Sequence, residues 1–465
     1  YTLFPGLTLC CLILSTQSQS FLANSPILAK FLNPDRIYFG DNYAVAQPLS
    51  RPANSQVDDD ALRQIFGPKP TEEKKKKAST SVEIEKSNEV AYSTSVEQVT
   101  NRNVPVRNNV NAIQSGNVVL SPFSITSLLA LLQQGALGQT QEQITAALQM
   151  TSAVAASSYS TISKDIKNRS SRNTLKTGNH LFIADGFSIN PEFKQVALNS
   201  FDSDITPLSY YRPDLAARQI NSWVASRTDH KIERLVSPDS LSSSTQMVLV
   251  NAVYFKGLWE IPFRVESTIP RDFHLGNGQT KKAQYMRMRK LFKAGTDPAT
   301  NAKIVILPFE REEYSLMLIL PSQLVGMQNT LQHMTDARLL SYLSFPALDT
   351  EIEIPKFTVR ADTDLVSSIR NLMGVTKMFG PYAELNRLGM YRSYSPQISS
   401  AVHSAVFSIN EEGGSAAAAT AFAAVALSYD EPGSIFKANR PFIAILWDSK
   451  TSLPIFMAKI EDPQQ

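Results

Sequence analysis

Residues 411–428 read Glu-Glu-Gly-Gly-Ser-Ala-Ala-Ala-Ala-Thr-Ala-Phe-Ala-Ala-Val-Ala-Leu-Ser, between two apolar, strand-like segments near the C-terminus. A charged entry, Glu411 and Glu412, leads into Gly413 and Gly414 and then into small side chains. The segment has too few large residues to anchor itself in a core, yet it is not polar enough for an ordinary linker. Alanine favours helix, so a surface helix or a low-complexity linker stays open on these residues alone. Almost every side chain after Gly414 is also small or strand-compatible, so the same stretch can enter a sheet as an extra strand. A loop that can become a strand stores free energy.

Around it lies a chain of 465 residues, 43% apolar and 19% charged, with a net charge of +3. That balance suits a globular core of good size and gives no overall reason to expect nucleic acid as a partner. Cys10 and Cys11 are its only cysteines, and both sit in the apolar run Leu7 to Leu14, followed by the polar Ser15 to Ser20. This pattern is expected to be a secretory signal peptide over residues 1–20, partial because it has no initiating Met and no basic start. The run is too short to cross a bilayer, so no membrane association is expected. Residues 21–115, with Asp58-Asp-Asp60 and the Lys74–Lys77 run, read as a polar, disordered extension.

From residue 116 to 465 the pattern is that of one α+β domain, with helices expected mainly in its first half and strands in its second. Ser121-Pro122 opens a buried helix through Leu128–Leu132, and Thr140 opens another. Leu181–Ile183, Met247–Val250, Ile304–Leu307, Leu316–Leu320, Ile352–Ile354, Val402–Asn410 and Pro441–Trp447 read as strands. The chain has no Gly-x-Ser-x-Gly elbow, phosphate-binding Gly-x-x-x-x-Gly-Lys loop or His-Glu-x-x-His helix. Its five histidines, His180, His230, His274, His333 and His403, show no ligand spacing. No enzyme, metal or cofactor is expected.

Four blocks resemble the serpins, the serine protease inhibitors. They are Asn117-Val-Val-Leu-Ser-Pro-Phe-Ser-Ile125; Asn251-Ala-Val-Tyr-Phe-Lys-Gly-Leu-Trp259 with Phe263, Thr268 and Phe273; Ile354-Pro-Lys-Phe357 with Leu372-Met-Gly-Val375; and His403 through the loop to Phe436–Phe442 and Pro454–Lys459. The resemblance implies three β-sheets, eight to nine helices and an exposed reactive-centre loop. It makes Glu411, Glu412, Gly413, Gly414, Ser415, Ala416, Ala417, Ala418, Ala419 and Thr420 the hinge, and Leu427–Ser428 the bond a protease cleaves. It assigns Ser121, Ser124, Asn251 and His403 to the shutter beneath the central sheet, and Trp259 and Lys356 to the breach where the loop first enters, with Glu411 pairing Lys356.

The activity so implied is irreversible, suicide-substrate inhibition of an extracellular serine protease through a covalent acyl complex. Leu427 points to a chymotrypsin-like or elastase-like target. The signal peptide, extension and Leu-Ser bond resemble insect haemolymph serpins, which implies restraint of an immune protease upstream of Toll signalling. The alternative is a non-inhibitory serpin acting as carrier, chaperone or storage protein. It draws on Gly414, where inhibitory members carry Thr or Ser, and on Asn101–Asn109, whose Pro105 interrupts a first helix. Lys164, Lys167, Arg169 and Arg172 lie where some serpins hold heparin, but they are read as a solvated basic helix face, and Asn168 begins a glycosylation sequon. A monomer without a heparin-like cofactor is expected.

Overall fold

The computed structural model describes residues 116–169, 172–324, 326–413 and 433–465, all within one unit of the chain. The expected signal peptide, the extension, hinge residues Gly414–Thr420 and the Leu427–Ser428 bond lie outside the described residues.

The strands in chain order begin with β1 (Val118–Leu120), β2 (Thr174–Ala184), β3 (Phe187–Ile189), β4 (Asp204–Leu208), β5 (Met247–Lys256), β6 (Ile269–His274), β7 (Thr280–Thr296) and β8 (Lys303–Pro308). They continue with β9 (Tyr314–Leu320), β10 (Ala347–Pro355), β11 (Phe357–Asp364), β12 (Gly389–Tyr391), β13 (Ser400–Ile409), β14 (Ser434–Lys437), β15 (Phe442–Asp448) and β16 (Leu453–Ile460). The α-helices are α1 (Pro122–Gly135), α2 (Gly138–Leu148), α3 (Ser152–Lys167), α4 (Pro191–Phe201), α5 (Pro213–Arg227), α6 (Met327–Gln332), α7 (Asp336–Tyr342) and α8 (Leu365–Met373).

These strands form three sheets among the described residues: five strands in the order β11-β13-β5-β2-β4, nine strands from β1 to β14 with β6 attached to β7, and the pair β12-β3. Together with the helices this is the α+β arrangement expected. The five longest helices, α1 to α5, lie in the first half of the domain as expected, which also supplies β2, β4 and β5, three of the five strands of the smaller large sheet. Their apolar runs fall between amphipathic helices and are completed only by pairing with β13, far along the chain.

Helix α1 starts where Ser121 caps it, its side chain accepting from the Ser124 N–H, with Pro122 in the first turn. It is buried on almost every face, as expected of a helix at the centre of a domain. Helix α2 begins at Gly138 rather than Thr140, and no side chain caps it. Thr140 is instead buried, its Oγ1 accepting from the Glu384 N–H at 3.1 Å while its own N–H donates to Glu384 Oε2 at 3.1 Å.

The core fills the space between the two large sheets. Phe407 of β13 stacks on Phe456 of β16 at 5.4 Å, and Phe357 of β11 meets Phe442 of β15 edge-on at 5.9 Å. These contacts fix β11 and β13 to the larger sheet. On its other side β13 pairs in parallel with β5 from Ser400–Val248 to Val406–Tyr254.

Candidate functional site

The parallel β5–β13 pair is bridged from below by a buried polar network. His403 of β13 stands directly opposite Asn251 of β5 in the ladder. The His403 Nδ1 atom contacts Asn251 Oδ1, and its Nε2 accepts from the Ser121 N–H at 3.2 Å. A backbone N–H can only donate, so Nε2 is unprotonated and the proton sits on Nδ1, donating to Asn251. The remaining contacts agree with that tautomer. Asn251 Oδ1 also accepts from Ser124 Oγ at 2.8 Å, while Asn251 Nδ2 donates to the Ser124 carbonyl at 3.3 Å and to Asn179 Oδ1 at 2.5 Å. Asn179 in turn donates to Ser127 Oγ at 3.1 Å, and Ser121 Oγ donates to the Ile455 carbonyl at 2.7 Å.

His403, Asn251 and Ser121 are fully buried. Burial pushes the His403 ring down from its ordinary value to about 3, so the imidazole is neutral across the physiological range. The network therefore ties β5, β13 and β2 to the N-terminus of α1 with neutral hydrogen bonds. Inserting one strand between β5 and β13 separates them by a further ~4.8 Å. That breaks the His403–Asn251 bond.

At the other end of the seam the β5–β13 ladder stops at Val406–Tyr254, although β13 runs on to Ile409, paired with Phe357 of β11. Here the segment after β5 grips the base of the loop. The Trp259 N–H donates to the Glu412 carbonyl at 2.9 Å, the Phe263 N–H to the Glu411 carbonyl at 2.9 Å, and Trp259 Nε1 to the Asn410 carbonyl at 2.9 Å. The Trp259 ring is stacked on Phe309 at 4.3 Å. Asn410 Oδ1 accepts from the N–H groups of both Glu412 and Gly413 at 3.1 Å, a side-chain turn that steers the chain out of β13. Gly413 has φ +118°, and a Cβ there would meet the Gly257 carbonyl and Trp259 nitrogen at 2.7 Å. Only glycine fits.

Lys356 Nζ lies 3.0 Å from Glu411 Oε2, and Thr268 Oγ1 donates to Glu411 Oε1 at 2.8 Å. Glu411 is 7% exposed, which distinguishes this contact from a surface ion pair. Burial pushes its carboxyl up, and that is outweighed by the Lys356 ammonium, a backbone N–H and the Thr268 hydroxyl, which hold it below the ordinary carboxylate range.

The structure thus brings together Ser121, Ser124, Asn251 and His403 in one cluster and Trp259, Lys356, Glu411, Glu412 and Gly413 in a second. Thr268, present among the resembling blocks without a role, joins them, as do Asn179, Asn410 and Phe309, which the sequence assigned no role. Asn410 carried a readable signal, an Asn two residues before Glu412; Asn179 carried none.

Lys164, Lys167 and Arg172 are exposed, as a solvated basic face requires, and Arg169 alone leaves it. Arg169 is buried, 2.7 Å from Asp448 and 2.8 Å from Asp165, with its guanidinium 4.8 Å over the Tyr314 ring. Lys167 pairs with Asp202 at 2.6 Å and Arg172 with Glu310 at 2.9 Å. Asp202 and Glu310 thus offset part of the positive stripe from other elements. Asn168, at the C-cap of α3, is exposed. Among the described residues no cluster of His, Cys, Asp and Glu suits a metal, and no helix is long and apolar enough to cross a membrane.

A five-stranded sheet with a parallel seam, a polar bridge beneath it and a small-residue loop leaving one of its strands define a class, and comparison with known proteins agrees. Residues 105–463 match the Serpin (serine protease inhibitor) family. Antichymotrypsin-2 of Bombyx mori is 34% identical, over 71% of this chain and 88% of its own length. The leukocyte elastase inhibitor of Bos taurus is 32% identical, over 75% of this chain and 94% of its own. The crystal structure of Manduca sexta serpin-12 superposes with a TM-score of 0.70 at 49% identity, covering 76% of this chain and 95% of that one. The chain belongs to the serpin family.

Proposed function

We propose that this protein is an irreversible, suicide-substrate inhibitor of a chymotrypsin-like or elastase-like serine endopeptidase. The observation that carries the proposal is the β5–β13 seam. Its ladder ends short of the loop, its residues are bridged by a separable hydrogen-bond network, and β13 leads directly into the small-residue segment. In this reading the protease serine attacks the Leu427 carbonyl. The Leu427–Ser428 bond breaks, the amine of Ser428 leaves, and an ester links Leu427 to the enzyme. Gly413 to Ala426 then enters the seam as a new strand. At ~3.3 Å per residue this strand is about 46 Å long, enough to carry the attached protease along the sheet before water hydrolyses the ester. Each new backbone hydrogen bond contributes a net ~0.5–1.5 kcal/mol.

The small side chains of Ser415 to Ala419 support rapid entry. Leu427 before the cleaved bond, with Val425 and Ala424 close by, supports an apolar primary pocket in the target. Serpin relatives named for chymotrypsin and elastase support the same choice. The apolar run Leu7–Leu14 supports secretion, the exposed Asn168 supports a glycan there, and the likeness to haemolymph serpins supports restraint of a Toll-type immune cascade by a monomer acting on an extracellular protease. Gly414 favours a second reading, a non-inhibitory carrier, chaperone or storage serpin, because glycine contributes no side chain to the inserted strand and loses more entropy on ordering.

The test is incubation with chymotrypsin or pancreatic elastase followed by denaturing electrophoresis. The inhibitor reading expects a band at the summed mass that survives boiling and a released fragment beginning at Ser428. Cleavage at Leu427 without an adduct would favour the second reading.

A further inference from the structure

The apolar cluster that seats α5 on the five-stranded sheet is flanked by a basic ring. Ala216, Ala217, Ile220 and Val224 of α5 pack with Phe182, Val248 and Val250, and beside them stands His180 of β2, only 3% exposed. Its ring is stacked on Phe182 at 4.1 Å and meets Trp223 of α5 at 4.8 Å. Trp223 comes this close because residue 178 is glycine, where a Cβ would lie 2.9 Å from the indole. His180 Nε2 contacts Thr206 Oγ1 of β4 at 2.8 Å, and Nδ1 is buried with no hydrogen-bond partner among the described residues. The tautomer that strands no N–H carries its proton on Nε2, donating to Thr206, so Nδ1 presents a bare lone pair to an apolar wall. Two charges act on the ring from neighbouring elements. Asp204 stands opposite His180 in the β2–β4 ladder and favours the charged ring. Arg227 of α5 opposes it, with its guanidinium 5.9 Å over the Trp223 ring. Lys176, further along β2, is paired with Asp229, and β5 presents the apolar Val250 opposite His180.

We propose that His180 is a proton-operated latch for the last turn of α5: a proton taken up at Nδ1 frees Trp223 from β2 and bares Phe182, with the two large sheets still closed. The new N–H has no acceptor in its pocket, and its charge is set beside an indole that already holds Arg227. Both costs vanish once the ring reaches water. The preceding turn stays tethered, because Asn221 Oδ1 accepts from the Leu235 and Val236 N–H groups at 2.8 and 3.0 Å and its Nδ2 donates to the Val236 carbonyl at 2.8 Å. Burial pushes the docked His180 ring down to about 4, against about 6.5 once released. The docked value is the lower, so docking is complete above pH ~6.5 and weakens as the pH falls towards ~4. Between pH 7 and pH 5 the docking constant drops about twentyfold. The latch operates whether or not the protein inhibits a protease, and it places an acid-sensitive apolar surface on the outer face of β2.

The experiment is hydrogen exchange of the intact protein at about pH 7 and pH 5, corrected for the pH dependence of exchange in an unstructured peptide. Amides of residues 223–227 are compared with those of β9. In the wild type, protection of the last turn of α5 is expected to fall about twentyfold relative to β9. In His180→Phe and His180→Gln, which cannot take up the proton, it should change less than about threefold. Arg227→Gln removes the repelling cation, raises the docked value and should shrink the wild-type loss at least about twofold, which a merely structural histidine would not produce. An equal loss in the His180 variants, no loss in the wild type, or a loss shared by β9 overturns the latch. If neither His180 variant unfolds cooperatively, Arg227→Gln decides, and an unchanged loss overturns it.

Discussion

Strand β5 has two unlike neighbours. On one side the antiparallel ladder with β2 runs the whole length of β5, from Lys256 to Met247. On the other the parallel ladder with β13 stops at Tyr254, and beneath it the polar side chains of Asn251 and His403 meet. Asn251 also bonds Asn179 of β2, so what sets the β13 edge apart is its shorter ladder and its parallel pairing, slightly weaker per residue. In the proposed inhibitor reading the sheet stays continuous along one edge of β5 and parts along the other. That reading places movement at one seam of a fold that is otherwise close-packed.

The largest expected effect breaks the comparison from the loop side. Ala417→Pro removes a donor and fixes a backbone angle in the entering strand. Cleavage at Leu427 should persist while the boil-resistant adduct disappears on denaturing gels; an adduct formed in normal yield would separate adduct formation from insertion at the seam.

Asn251→Ala attacks the bridge. It leaves His403, Ser124 and Asn179 without their partner in a fully buried site, and should cost about 3–5 kcal/mol in guanidinium unfolding. A loss below ~1 kcal/mol would mean that water replaces the amide and that the seam is not held from below.

Acid sharpens the same point. His403 sits at about 3 in the folded protein, against about 6.5 unfolded. The folded value is the lower, so the unfolded chain binds the extra proton. Stability is then complete above pH ~6.5 and falls as the pH drops from ~6.5 towards ~3, by up to about 1.4 kcal/mol per unit. His180, pushed down to about 4 by burial, acts in the same direction. In His403→Asn the pH slope should be shallower between pH 6 and 4, with the His180 share retained; an unchanged slope would remove His403 from the account.

Glu411→Gln gives the smallest effect. It weakens the contacts with Lys356 and Thr268 at the open end of the seam, with an expected loss of about 1–2 kcal/mol that shrinks at low pH. Equal losses in wild-type and Lys356→Ala backgrounds would show that the two groups act independently.

Much of the fold was readable because its signals are local. Ser121-Pro122 announces α1, and the apolar runs at 247–250, 316–320 and 441–447 announce β5, β9 and β15 within a few residues. Where a reading missed, a distant partner had intervened. Glu384 takes up Thr140, which looked like a helix start, and Asp448 draws Arg169 out of the solvated stripe it would otherwise join. The shutter could be assigned only through family resemblance, because nothing local to Ser121 or Asn251 points to His403. The structure supplied what resemblance did not: the tautomer of His403 and the part played by Asn179.

By itself the sequence determined most of the elements and the small-residue character of the segment after Glu412, since each depends on side-chain size and backbone freedom within a few residues. Only the tertiary structure decided which strand lies against which, where the seam runs, and that Glu411 is buried against Lys356. These depend on contacts between residues far apart in the chain, whose free energy exists only once the sheets have closed around the core.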